Sequence, residues 1–346
     1  MASQQQVRLA GSTASPYTQK MVALLRYRRI PYAVNWAQPE RVCDALGVEQ
    51  PKPIFMPTFF FEEQGNTRAE CDSTPIIRRL EASHPGRSVL PQQPALAFID
   101  YLIEDFADEW CTKYMFHYRW HFAADADNAG NQLPLCIGVS TPAEQLAQMK
   151  SWFVKRQVER LYVVGSNDTT APVIDASYRR FLAAMESHLA SQPFMLGTRP
   201  GAGDFALYGQ LSQLVGFDPT PRGIAYEVSQ RTVAWVDIVS DLSGVEPRDA
   251  DWFSLEEQPD SLRELLLEIG RVYAPAQLAN ARAVQAGEKT WETQIDGAAW
   301  TQRTFPYQAK CLQWTNERYR ALSEADRASV DTLLQGTGVE TMLSLA

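Results

Sequence analysis

A change of periodicity near Pro91 constrains the fold more than any other feature of this chain. Upstream of it, segments alternating every second residue interleave with segments whose apolar residues recur every three or four. Val7-Arg8-Leu9-Ala10, Tyr32-Ala33-Val34-Asn35-Trp36 and Thr58-Phe59-Phe60-Phe61 read as strands, with Thr67-Arg68-Ala69 as a short return strand. Met21, Leu24, Leu25 and Arg28 mark a first helix, Pro39 to Leu46 a second, and Ile76, Ile77 and Leu80 a third. Glu62-Glu63-Gln64-Gly65-Asn66 supplies a hairpin turn. The order βαβαββα requires a small mixed sheet, because hairpin-linked strands run antiparallel and helix-linked strands run parallel.

Downstream the helical period takes over almost completely. Pro94 opens a long helix through Phe106 and Trp110 towards Trp120, and the polar, Gly/Asn-rich stretch Ala123 to Ser140 reads as a loop. Helical patterns resume from Pro142 to Tyr162, from Ala171 to Ala190 and near Gly203-Asp204. The last ninety residues or so add helix from Ser261 to Ala286 and a hairpin, Trp291 to Trp300, turning at Asp296-Gly297. Two more helices follow, the second capped by Ser323 with Asp326 and stopped by Gly336.

Bulk composition excludes several classes of function. The net charge of −9 argues against a nucleic-acid backbone as partner. No apolar run approaches a membrane span, and Met1 to Gln6 has no signal-peptide character, so a soluble, cytoplasmic protein is expected. The five cysteines are scattered without a Cys-x-x-Cys pair and read as buried reduced thiols. Of four histidines only His117 and His121 are close, so no metal site is expected.

Three local features point to one kind of ligand. Ser15-Pro16-Tyr17-Thr18 follows a strand and opens a helix, where orphan N–H groups and the helix dipole favour an anion such as a thiolate. Taken alone, Ser15 reads as a plain helix cap. Met56-Pro57 stands at the mouth of a strand, where a cis bond would turn the Met56 backbone outward to pair with an extended peptide. Asp72-Ser73-Thr74-Pro75 opens the third helix, with Pro75 read at its first position behind a Ser/Thr cap. That terminus can hold a zwitterionic end, the carboxylate on Ser73 and the ammonium on Asp72. A ligand spanning all three is a short peptide with a free amino-acid end and a reactive group near Ser15.

These motifs, in this order, resemble the glutathione S-transferase superfamily. Val7 to Pro91 matches its thioredoxin-like half, and Gly201-Ala202-Gly203-Asp204-Phe205-Ala206-Leu207-Tyr208 is similar to the buried capping segment of its helical half, with Gly201 where Ser or Thr is usual. The resemblance covers residues 7 to 250. It implies an α/β thioredoxin-like N-terminal domain (1–91), an all-α domain of the glutathione-transferase type (92–257), and a C-terminal extension (258–346), helical with a β-hairpin and packed on the helical domain. It also implies a homodimer with glutathione as cosubstrate. Ser15 would then be the catalytic hydroxyl, with Ser12, Thr13 and Tyr17 as nearby alternatives, and Met56, Pro57, Asp72 and Ser73 would bind glutathione. Serine at this position, with Thr18 for the second cysteine of the redox pattern, favours attack on a small apolar electrophile over disulfide exchange. Isomerisation, and ether or halide cleavage, use the same thiolate. A non-catalytic binding or dimerisation protein is the alternative from another class, favoured by Phe55 at the usual polar position and by the long extension.

Two clusters have two readings each. Glu104, Asp105, Asp108 and Glu109 form either a solvated helix face, with Lys113 pairing to Glu109, or a charged wall that sets Asp105 or Asp108 near the ligand ammonium. His117-Tyr118-Arg119-Trp120-His121 either packs at a helix end or, together with Tyr17, lines the acceptor pocket through His117 and Trp120. Trp235, Trp252, Trp291 and Trp300 read as core.

Overall fold

The computed structural model describes residues 6–343; the leader reading of Met1 to Gln5 therefore lies outside the described residues. β1 (Val7–Gly11) pairs in parallel with β2 (Tyr32–Trp36) and antiparallel with β3 (Thr58–Glu63), which pairs antiparallel with β4 (Asn66–Cys71). The sheet order is β2-β1-β3-β4. Gln64 and Gly65, both at positive φ (49° and 83°), make the two-residue turn that suits the strand twist. β4 runs farther than the sequence suggested, because each of its residues from Asn66 to Cys71 has a partner on β3.

α1 (Pro16–Tyr27) is capped by Ser15 and buries Met21, Leu24 and Leu25. α2 (Pro39–Leu46) ends at Gly47, whose φ of 65° is the left-handed cap that glycine adopts freely. α3 (Ser73–Ser83) starts two residues earlier than Pro75 at the first helical position implies: Asp72 is the cap, its Oδ1 accepting the Thr74 N–H at 3.3 Å.

The long helix from Pro94 is α4 (Pro94–Phe106), a π-helical turn (Ala107–Cys111) and α5 (Thr112–His121). The expected loop after it is mostly helix, α6 (Ala123–Gln132), packed on α7 (Ala143–Val158). Its Gly130 marks close packing instead of a turn: a Cβ there would lie 2.6 Å from Val154 Cγ2. Asp125 also anchors the helix by accepting the Thr220 N–H at 2.8 Å. α8 (Ala171–Leu189), α9 (Ala202–Leu214), α10 (Pro219–Val228) and α11 (Gln230–Val239) complete this part of the chain.

Residues beyond 258 form α12 (Asp260–Glu268), a second π turn (Ile269–Tyr273) and α13 (Ala274–Gln285), then the hairpin β5 (Thr290–Ile295) and β6 (Ala298–Arg303). α14 (Pro306–Arg320), α15 (Glu324–Leu334) and α16 (Glu340–Leu343) follow. α12 packs on α8, while α14 and α15 pack on α4. One apolar core runs from Leu9 and Phe59 of the sheet through Phe106 and Phe181 to Trp291 and Trp300 of the hairpin. Among the described residues no helix is long and apolar enough to cross a membrane, and all five cysteines are free thiols.

α9 carries the buried cap read from the sequence. Asp204 Oδ2 accepts the Gly201 N–H and Oδ1 the Met195 N–H, each at 2.9 Å, so one carboxylate satisfies two buried donors. Phe205 and Leu207 are buried beside it. Removing the side chain orphans both N–H groups. The urea midpoint should therefore fall in the order wild type, Asp204→Asn, Asp204→Ala, with the alanine variant about 2 kcal/mol less stable; an unchanged midpoint for Asp204→Ala would show that water replaces the carboxylate.

Candidate functional site

The strand-to-helix elbow is built by short-range bonds and clamped by distant ones. Ser15 N–H donates to Ser12 O at 3.1 Å, and the Ser15 hydroxyl oxygen accepts the Thr18 N–H at 3.2 Å. That cap uses the oxygen only as an acceptor, which leaves the half-buried O–H to donate. From the helical half, Arg119 Nη1 donates to Ala14 O at 3.1 Å and Gln213 Nε2 to Thr13 O at 3.2 Å. Arg119 is itself fixed by Asp218, at 2.9 and 3.0 Å from Nε, and by Gln213 Oε1 at 2.9 Å. α9 comes so close to the elbow at Gly209 that a Cβ there would lie 2.6 Å from Pro16 O.

One turn after the elbow, the fully buried Lys20 reaches across three elements. Its Nζ donates to Ser73 Oγ at 3.0 Å, Glu104 Oε1 at 2.9 Å and Asp108 Oδ2 at 2.6 Å. Three ammonium hydrogens meet three acceptors. Glu104 also takes Arg78 Nη1 at 2.7 Å and the Thr74 hydroxyl at 3.0 Å. Burial opposes charge on Glu104, but Arg78 and Lys20 outweigh it and hold the carboxyl well below its usual range.

The acidic run is therefore not a solvated face. Glu104, Asp105 and Asp108 are buried and Glu109 is half-buried, because α4 is enclosed by neighbours on every side. Lys113 does not pair with Glu109 by hydrogen bond; its Nζ donates to Gln302 at 3.0 Å, between the Trp110 and Trp300 rings. Asp108 lies with Ser73 around Lys20, whereas Asp105 turns to the second π turn and accepts the Tyr273 hydroxyl at 2.7 Å.

The remaining sequence-predicted residues divide clearly. Met56-Pro57 is a cis bond, as is Lys52-Pro53, which the sequence reading did not anticipate. Asp72 adopts a φ of 89°, a left-handed conformation that typically adds about 1–3 kcal/mol of strain in a non-glycine residue and clusters at ligand sites. Tyr17 sends its hydroxyl to Asp108 O at 2.7 Å. His117 is buried, bonded through Nδ1 to Ser166 at 2.8 Å and stacked on His121; burial first, then His121, lowers its pKa to about 3. Trp120 packs with Phe116 and Phe153. Trp120 thus belongs to a small apolar cluster with Ala126 and Ala129, and neither it nor His117 is in the wall of the cavity beside Asp72.

A cavity of about 560 Å³ opens where β4 meets α3, walled by Lys52, Phe55, Arg68, Cys71, Asp72 and Tyr307. Ser15, Met56, Pro57 and Ser73 are not part of its wall. Tyr307, from the first turn of α14, donates its hydroxyl to Asp72 Oδ2 at 2.7 Å. Lys20, Arg119 and Tyr307 were assigned no function from sequence. Only Lys20 left a local signal, a lone cation on the otherwise apolar inner face of α1.

The N-terminal-domain model of the glutathione S-transferase family matches residues 9–88, and the C-terminal-domain model of the same family matches residues 157–246. Similar solved structures include FzlA from C. crescentus, 15% identical, covering 67% of this chain and 86% of its own, with a TM-score of 0.40. A glutathione S-transferase from Rhodospirillum rubrum F11 is 16% identical, with 75% and 91% covered and a TM-score of 0.41. A beta-etherase from Sphingobium sp. strain SYK-6 is 14% identical, with 68% and 95% covered and a TM-score of 0.38. No curated protein matches the sequence.

Burial sets a pH dependence that can be measured. Asp105 and Asp204 rise to about 7 and Glu109 to about 8, in each case chiefly through burial; neighbouring acids add to the rise at Asp105 and Glu109. An acid with a raised folded pKa keeps a proton that the unfolded chain has released. Its stabilising contribution is complete below the unfolded pKa, near 4, and is lost as pH rises through the folded value. Glu104, shifted downward, acts oppositely and only below about pH 4.5. The calorimetric Tm should therefore decline between pH 5 and pH 8, and less so in Asp105→Asn; an equal pH dependence in the two proteins would show the Asp105 carboxyl to be ionised throughout.

Proposed function

From the premise that this chain belongs to the glutathione S-transferase superfamily, we propose that it binds glutathione and activates its thiolate for attack on a small apolar electrophile. The observation that carries this reading is the N-terminus of α3. Asp72 is held at a φ of 89° with its carboxylate in the wall of the cavity. Ser73 accepts from Lys20 and so keeps its own hydroxyl hydrogen for a ligand carboxylate. An ammonium on Asp72 and a carboxylate on Ser73 and the helix N–H groups would fix the amino-acid end. The peptide would then run along Met56-Pro57 and bring the sulfur to Ser15.

There the free Ser15 O–H donates to the sulfur and, with the N-terminus of α1, favours thiolate over thiol. The thiolate forms a C–S bond to the electrophilic carbon while the leaving group departs with its electron pair. An isomerase, or an enzyme cleaving ethers or halides, would use the same first step. Pairing of two copies belongs to the same proposal.

Binding without turnover is a second reading, favoured by one observation: the cavity that includes Asp72 does not include Ser15. The two are separable. The protein should be retained on immobilised glutathione, gain thermal stability with millimolar glutathione, and conjugate 1-chloro-2,4-dinitrobenzene. Ser15→Ala should lower kcat by about 100-fold with a change in glutathione Kd of less than about threefold. Ser15 also caps α1, so turnover is compared at a temperature where both forms are folded. Retention without conjugation would establish the binding protein. Neither retention nor a thermal shift would end both readings.

A further inference from the structure

Among the described residues, Tyr307 is the one residue of the C-terminal extension in the wall of the cavity. It reaches Asp72 from a position 235 residues away in sequence. The residue is 42% exposed, and its ring is held by an edge contact to Trp314, with centroids 6.0 Å apart, and by the hydroxyl bond to Asp72 Oδ2. A side chain so loosely packed can swing away without disturbing the core. The other Asp72 oxygen is occupied by the Thr74 N–H, so Oδ2 is the oxygen that a ligand would use.

We propose that Tyr307 sets what the amino-acid end of the site admits, by holding the Asp72 oxygen that a ligand ammonium must take. This rests on the peptide-binding reading above. The phenol is a neutral donor and leaves the carboxylate charge uncompensated, whereas an ammonium both donates and neutralises. Exchange therefore favours ligands with a free α-amino group over those in which it is blocked. Burial already raises Asp72, and the Tyr307 hydroxyl and Lys20 act against that rise, consistent with a carboxylate that still lacks a full counter-charge.

Tyr307→Phe keeps the ring and removes only the hydroxyl, which isolates the competition. Glutathione should bind about tenfold more tightly to this variant than to wild type, while N-acetylglutathione should bind both equally. Cys71 gives a readout independent of glutathione, because its half-buried thiol lines the same cavity. Its alkylation by iodoacetamide, followed by peptide mass spectrometry, should be faster in Tyr307→Phe. Unchanged Cys71 labelling, or a glutathione Kd that stays equal or weakens, would overturn the proposal. Faster labelling with no glutathione binding by either protein would support closure by Tyr307 and reject the peptide-binding reading instead.

Discussion

The ammonium of Lys20 is the point on which the rest of the site depends. A buried cation without partners would be prohibitive, so the surrounding elements are arranged to supply them. α1 brings the lysine, α3 brings Ser73, α4 brings Glu104, and the π turn brings Asp108. Two cations, Lys20 and Arg78, meet two carboxylates, which fixes the position of α3 against the long helix. The widened π turn also presents the Asp108 carbonyl to Tyr17, so that α1 is tied to the same turn twice. If any one partner is lost, an uncompensated charge remains in the interior, and such losses are more destabilising than the net worth of the pair.

A second tie runs from Arg119. Its guanidinium is planar and makes several bonds at once, to Asp218, Gln213 and the Ala14 carbonyl, so the elbow cannot move independently of the helical half. Ser15 is thus placed by two kinds of force. Local capping sets its rotation, and long-range hydrogen bonding sets its location. A lysine in place of Arg119 would keep the charge but lose the fork that joins three partners.

What was legible in the sequence follows the range of the interactions. The β3–β4 turn, the helix caps at Ser15 and Asp204 and the Asp296-Gly297 hairpin depend on bonds between near neighbours, and each left a local pattern. Lys20, Arg119 and Tyr307 find partners 53, 99 and 235 residues away, and no local pattern announces those. α6 was misread because its Gly and Asn carry turn propensity, whereas packing against α7 decides its state. The acids of α4 were misread for a related reason. Leu96, Phe98, Ile99, Tyr101, Leu102 and Ile103 surround the helix axis, and an apolar residue on every side leaves no solvated face for an acid.

The strained Asp72 shows how these ranges combine. A left-handed non-glycine residue persists only where its surroundings over-determine it. On one side Cys71 is held in register opposite Thr58 by the β3–β4 ladder. On the other, Ser73 is held by Lys20, so the two flanking residues are fixed before Asp72 chooses a conformation. Its side chain is then pinned at Oδ1 by the start of α3 and at Oδ2 by Tyr307. The first three restraints come from the sheet, α1 and α3, whereas the last comes from the extension. Only that last bond can be exchanged without unfolding a strand or exposing a buried charge, which is why the reach of the extension to Asp72 bears on the ligand and not on the fold.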